Sequence, residues 1–234
     1  MGLSVLYTRF DVGREIVKWI AILTMTIDHI GAIFFPEIIV FRIIGRLAFP
    51  IFCYLLVLGV ESTRNARQYF VRLLIFAFIS QVPFYLAFGY EPWESLNIFF
   101  TLALGLITLV VPFRILPPFV LGLFVFMLLF SVFLNIDYDI YGVVSILCMR
   151  ILKKNTKFGI VLLVLLNVLS LTASNIQILS LLALPLILYY QNGRVKVGHE
   201  VNTNVSYPIW RKYFFYIYYP LHLSILYLIK SSLF

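Results

Sequence analysis

Long apolar runs follow one another along almost the whole chain, separated by short polar turns, and this limits the fold more than any motif does. A helix that crosses roughly 30 Å of hydrocarbon at about 1.5 Å per residue needs about 17–25 apolar residues, or fewer where its neighbours cover it. Runs of this kind occupy residues 18–36, 38–60, 69–89, 96–113, 116–136, 139–152, 158–173, 175–190 and 212–229. The short sixth and seventh runs could instead form one re-entrant hairpin. The expected fold is therefore all-α: a polytopic integral membrane helical bundle of about nine transmembrane helices, in one transmembrane domain over residues 1–234. Composition points the same way, since 62% of the residues are hydrophobic and 12% charged, against about 25% charged in soluble domains. This excludes a soluble enzyme, a nucleic-acid-binding module and a disulfide-stapled secreted domain. Cys53 and Cys148 lie inside apolar runs, where cysteine behaves as a small hydrophobe, and no disulfide or metal site is implied.

The basic residues set the orientation. With the N-terminus inside, every Lys and Arg except Arg42, Arg46 and Lys230 falls at an inner turn, while Glu37, Glu91, Glu94, Asp137 and Asp139 occupy the outer ones. The expected topology is N-terminus in and C-terminus out, in a multi-pass protein of the cell membrane. The net charge of +8 is thereby explained by topology and not by a phosphate-tracking stripe, so nucleic acid is not an expected partner. Residues 1–18 lack the form of a cleaved signal, and the mature chain is expected to begin near Met1.

Ionisable groups inside these runs need a partner, a wet cavity or a chemical task, because each costs on the order of 2.5–3.5 kcal/mol in hydrocarbon on insertion scales. Asp28 and His29 fall near the midplane of the first run, Arg42 and Arg46 enter on the second, and His222 lies near the midplane of the last. The i, i+4 spacing of Arg42 and Arg46 places both guanidiniums on one helix face. A tight turn at Pro36 and Glu37 makes the first two helices antiparallel neighbours, which predicts an ion pair from Asp28 to Arg42 or Arg46. Asp28 and His29 point about 100° apart on one helix and so cannot bond each other. Pro50 predicts a kink inside the second helix, since it cannot donate to the carbonyl of Arg46. Gln81, Asn97, Thr101, Asn167, Asn175 and Gln177 are expected to bridge helices through hydrogen bonds of about 1 kcal/mol.

Six segments, in order, carry a family resemblance: ILTMTIDHIGAIFFP, FRIIGRLAFPIFCYLLVLGVESTRN, YFVRLLIFAFISQVPF, LNIFFTLALGL, DYDIYG and FFYIYYPLHLSILYL. Together they resemble the TraX family of membrane proteins over most of the chain. The most specific pieces hold Asp28 and His29, then Arg42, Arg46 and Pro50, then Tyr219 to His222. The founding member of that family is an N-acetyltransferase acting on the terminal amine of pilin. The family is in turn similar to a wider group of transmembrane acyltransferases that includes the heparan-glucosaminide N-acetyltransferase. The resemblance implies acetyl-CoA as acyl donor from the cytoplasm, and an amine or hydroxyl acceptor at or across the membrane: an exported peptide, a pilin-like protein or a glycan, reached beside membrane lipid.

Acyl transfer needs a base for the attacking group and a donor for the oxyanion. His29 is the candidate base, or the acyl-carrying nucleophile of a two-step route, with His222 and Asp28 as supporting catalytic residues. Asp28 would orient an arginine or, through a turn opened near Gly31, a histidine. Arg42, Arg46, Asn97 and Arg72 are the candidate substrate, oxyanion or cofactor contacts. For the phosphates of the donor the sequence offers two basic sets, Arg64, Arg67 and Arg72 or Arg150, Lys153, Lys154 and Lys157. The competing reading is a secondary transporter with a midplane Asp/His/Arg site, although the two halves of the chain show no internal repeat.

Overall fold

The computed structural model describes residues 11–111, 136–171, 175–196 and 209–233. The expected span at 116–136 thus falls almost wholly outside the described residues. The described helices are α1 (Val12–Phe34), α2 (Ile39–Gly45), α3 (Ala48–Ser62), α4 (Ala66–Phe88), α5 (Ile98–Val110), α6 (Asp139–Lys154), α7 (Thr156–Ser170), α8 (Leu184–Lys196) and α9 (Ile209–Leu233), with a 3-10 turn at Gln177–Ala183 ahead of α8.

Local chemistry sets most of the boundaries. Asp11, Asn65, Asn97 and Asn155 cap α1, α4, α5 and α7, each accepting a hydrogen bond from a first-turn backbone N–H. Helix α1 ends at Phe34, ahead of Pro36, and α4 ends on Gly89 at φ 76°, the left-handed stop that glycine adopts without a Cβ penalty. Asn155 also closes α6, and Gly159 lies so close to the backbone of Leu152 that α6 and α7 form a tight hairpin.

Among the described residues, three stretches are long and apolar enough to cross a membrane: 13–34, 39–62 and 66–88. Helices α5 and α7 are apolar but shorter. Several helices are apolar on the face that points away from the bundle. On α4, Val71, Ile75, Phe78, Ile79 and Val82 are exposed; on α7, Val161, Leu165, Val168 and Leu169; on α9, Ile217, Leu221, Ile225 and Leu228. These spacings of three and four residues draw stripes that water would penalise and lipid accepts. The protein is a membrane protein.

The interior is a single core in which α3 sits between α1, α5 and α6, while α9 packs on α4 and α1. Tyr54, Ile51 and Leu58 of α3, Phe99 of α5, Ile146 of α6 and Tyr219 of α9 are among its fully buried members.

Two elements differ from the sequence expectation. The second apolar run is not one helix kinked at Pro50 but two helices, α2 and α3, broken at Arg46–Leu47. There the N–H of Arg46 is shared between the carbonyls of Arg42 and Ile43, and that of Leu47 bonds Ile44, a tightened turn. The reason is Pro50: as the third residue of a new helix its missing N–H has no ladder bond to lose, so the chain restarts ahead of it. The run expected at 175–190 is likewise a 3-10 turn followed by a helix that continues to Lys196.

Glycines let α1 and α2 touch. A Cβ on Gly31 would enter the Phe41 side chain, and one on Gly45 would enter the carboxyl group of Asp28. Gly45→Ala is therefore expected to displace Asp28 and lower stability by about 1–3 kcal/mol, the usual cost of overpacking, read as a lower melting temperature in detergent.

Candidate functional site

The described residues enclose a cavity of about 300 Å³ between α1, α2, α3, α4, α5 and α9. Its floor is apolar, made by Met25, Phe52, Leu102 and Phe215, and its upper end reaches Tyr90, Ser95, Asp137 and Tyr138 in the connections after α4 and before α6. Asp28, His29, Arg42, Arg46 and Gln177 line the wall between them.

Asp28 and Arg42 form the expected ion pair, Nη1 to Oδ2 at 2.7 Å. Arg46 goes elsewhere. Because the helix breaks at Arg46, the two guanidiniums do not stack on one face, and Arg46 instead donates from Nη1 to Oε1 of Gln177 at 2.9 Å. Gln177 in turn donates to the Tyr141 hydroxyl at 2.9 Å, which donates to Oδ1 of Asn167 at 3.2 Å, and Ser180 donates to the same oxygen at 2.8 Å. Every donor and acceptor in this chain is decided by the guanidinium at its start, since arginine can only donate.

The two histidines meet directly, Nδ1 of His29 lying 2.7 Å from Nε2 of His222. Nδ1 of His222 is 2.9 Å from the carbonyl oxygen of Tyr218, one helical turn back. A carbonyl only accepts, so His222 carries its proton on Nδ1 and its Nε2 accepts from His29. His29 is thus protonated on Nδ1 and bears its lone pair on Nε2. The two imidazoles meet edge to edge, 7° from parallel with centroids 5.0 Å apart, as an in-plane bond between them requires; the ring of Tyr218 lies 10° from parallel to His222 with centroids 4.9 Å apart, and Phe88 meets His29 edge-on. A hydrogen bond of 2.7 Å between Thr26 and the Tyr218 hydroxyl ties α1 to α9 beneath them. His222 does not line the cavity; it stands behind His29.

Asn97 and Arg72 are not brought to this cavity. Asn97 is completely buried and donates to the Ala77 carbonyl and to Gln81 while accepting from the Phe99 N–H, so capping α5 and tying it to α4 occupies the whole amide. Arg72 sits at the opposite end of α4 over the ring of Tyr69, 5.5 Å from its centroid. Asp28 does not orient a histidine through an opened turn, because α1 runs unbroken past Gly31. Of the basic set on α6, Lys153 pairs with Glu61 and Arg150 donates to the Leu109 carbonyl. Among the described residues, no group of three or more His, Cys, Asp or Glu is placed to hold a metal ion.

The family model of the TraX protein matches residues 13–230, a range that contains every wall of the cavity. The chain belongs to the TraX family. It is 29% identical to a probable fimbrial assembly protein FimC, serogroup H1, of Dichelobacter nodosus, across 90% of this chain and 92% of that one. It is also 39% identical to the protein TraX of Escherichia coli across 39% of this chain and 37% of that one. A third relative, the uncharacterized protein RP591 of Rickettsia prowazekii (strain Madrid E), is 33% identical across 39% of this chain and 34% of its own length. No solved structure gives a significant match.

In this TraX-family chain the cavity also holds groups that the sequence did not single out as site residues. Gln177 reads in sequence as a helix-bridging amide, and Asp137 as an acidic residue of an outer turn. The Asp137 backbone is fixed from both sides, its N–H donating to the Leu96 carbonyl at 2.8 Å and its own carbonyl accepting from Thr101. Tyr138 follows at φ 64°, a left-handed conformation costly for a tyrosine, and its ring stacks on Phe49 with centroids 3.8 Å apart. Burial pushes the Asp137 carboxyl up to about 7, the negative charge of Asp28 adding to the rise and Arg46 and Arg42 opposing it. No pattern of spacing announces this; the signal available was the DYDIYG segment that carries part of the resemblance. Replacing Gln177 by leucine is expected to cost about 1–3 kcal/mol, the loss of a buried acceptor for a charged donor, seen as a lower melting temperature in detergent.

Proposed function

We propose that this TraX-family chain is a membrane-embedded acyltransferase, N-acetyltransferase-like, that moves an acetyl group from cytoplasmic acetyl-CoA to an amine or hydroxyl acceptor at or across the membrane. The observation that carries this reading is the His29–His222 pair. It leaves His29 with a lone pair on Nε2 at the wall of a cavity of about 300 Å³ that also presents two guanidiniums. Imidazole in this tautomer can take the proton of an attacking amine or hydroxyl as the new bond to the acyl carbon forms, and return it to the departing thiolate. His222 accepts from Nδ1 and holds both tautomer and ring plane. Arg46, anchored by Gln177, and Arg42, anchored by Asp28, offer N–H groups to the oxygen on which negative charge develops.

The charge distribution favours about nine spans in the cell membrane, with the N-terminus inside and the C-terminus outside. In that orientation the cavity reaches the outer connections, and the floor of Met25, Phe52, Leu102 and Phe215 is the barrier that an acyl thioester arriving from the cytoplasm has to pass. The name of the Dichelobacter relative, a fimbrial assembly protein, supports an exported pilin-like peptide as the acceptor.

The test is to incubate the purified chain with radiolabelled acetyl-CoA, with and without a membrane extract. Label moving to a component of the extract, and not doing so with the His29→Ala variant, supports the reading. Absence of transfer, with uptake of a solute into sealed vesicles that depends on the chain, replaces it with a secondary transporter built around the same residues.

A further inference from the structure

The end of the cavity formed by the connections holds a carboxylate whose place in the structure suits a task. Among the described residues, the side chain of Asp137 has no hydrogen-bond or ion-pair partner, although Asp28, also acidic and in the same cavity, is paired with Arg42 at 2.7 Å. The charged groups that act on Asp137 are Asp28, Arg46, Arg42 and Asp139, and neither arginine bonds it. The residue is nonetheless tightly placed. Its backbone bonds on both sides, to Leu96 and Thr101, and its neighbour Tyr138 is kept in a left-handed conformation by stacking on Phe49. Such strain persists only where surrounding contacts impose it, and here those contacts set a carboxylate that has no partner among the described residues at the end of the cavity formed by the connections.

We infer that Asp137 is the group that recognises the acceptor, and that what it recognises is a primary ammonium, R–NH3+. The inference deepens the acyltransferase reading and rests on it for the chemical step, though not for the binding. An amine reaches the protein protonated and has no lone pair with which to attack a thioester. Two protons must leave the nitrogen, and the cavity holds one acceptor for each. Asp137 binds R–NH3+ and takes the first proton, giving R–NH2 and a neutral carboxyl that later loses its proton to water. The nitrogen then attacks the acyl carbon as Nε2 of His29 takes the second proton. The C–S bond breaks, and that second proton goes to the thiolate, so the products are R–NH–acyl and a free thiol. A carboxyl raised to about 7 is matched to this exchange, because it binds an ammonium when ionised and holds a proton without a large penalty. A hydroxyl acceptor brings one proton and no charge and makes no use of Asp137, so this residue discriminates amines from alcohols.

The experiment compares binding of n-butylammonium and n-butanol to the detergent-purified full chain by titration calorimetry, with empty micelles subtracted. The parent should bind the ammonium in preference to the alcohol. Asp137→Asn should weaken ammonium binding by about 10-fold or more, as expected for one charge-assisted hydrogen bond, and leave the alcohol unchanged. Asp137→Glu should keep the preference, as should Asp139→Asn. Because the asparagine variant removes a buried charge, it should melt no lower than the parent. A parallel measurement needs no variant: carbodiimide labelling of Asp137 in the parent should be slowed by n-butylammonium and not by n-butanol. A parent without preference for the ammonium, or an Asp137→Asn protein that binds it like the parent, overturns the proposal. The acyltransferase reading stands or falls separately on label transfer from acetyl-CoA, which the calorimetry does not involve.

Discussion

On the proposed acyltransferase reading, His29→Ala is expected to fold, insert and bind its ligands but to transfer acetyl groups about 10²–10⁴-fold more slowly, the usual loss on removing a general base, equivalent to about 3–5 kcal/mol of barrier. The expectation follows from the tautomer. With Nδ1 committed to His222, Nε2 of His29 is the nitrogen with a lone pair at the cavity, and His222 stands behind it without lining the cavity. His222→Ala takes away the acceptor that fixes the ring, not the base itself, and should retain measurable turnover. His222→Gln, whose amide oxygen can still accept from Nδ1, should recover part of it. Label transfer from acetyl-CoA by the three variants checks this: near-parent turnover by His29→Ala sinks it, and the roles reverse if only His222→Ala is dead.

The second large effect is on stability. Asp28→Ala leaves the Arg42 guanidinium without its carboxylate inside the bundle, and breaking a buried pair from one side costs about 3–5 kcal/mol. Arg42 keeps 29% of its side chain accessible, so solvent recovers part of the loss and a value near the lower end, about 3 kcal/mol, is expected. Asp28→Asn retains an oxygen for Arg42 and should lose less. Thermal unfolding in detergent at a fixed scan rate decides the matter, and an Asp28→Ala protein that melts like the parent contradicts it.

Asp28, His29, Arg42, Arg46 and His222 stand out in the amino-acid sequence because each violates the solvent of its own segment. In a chain that is 62% hydrophobic an ionisable residue inside an apolar run is conspicuous, and proximity follows where a tight turn joins consecutive helices, as between Asp28 and Arg42. Asn97 is as conspicuous and proves to be a helix cap and bridge: an amide has enough donors and acceptors to be satisfied by backbone alone, and nothing in its spacing tells a cap from a site. Arg72 marks the end of a helix for the same reason that other basic residues do. Asp137 is hidden by the opposite effect. An acid in a turn is ordinary, and only the fold draws that turn over the cavity.

The amino-acid order alone settles that this is an apolar helical chain for lipid and which residues are out of place in it, because both depend on local composition and on the periods of single helices. It also settles that α1 and α2 meet, since a short turn permits no other arrangement. Partners far apart in the chain were decided by packing. His29 and His222 meet because α9 returns beside α1, and Arg46 reaches Gln177 because the chain breaks ahead of Pro50 and turns that side chain away from Arg42. Those contacts depend on which helix faces lie together and at what height, and they emerge only when the whole core is assembled, since no single segment carries the energy that selects them.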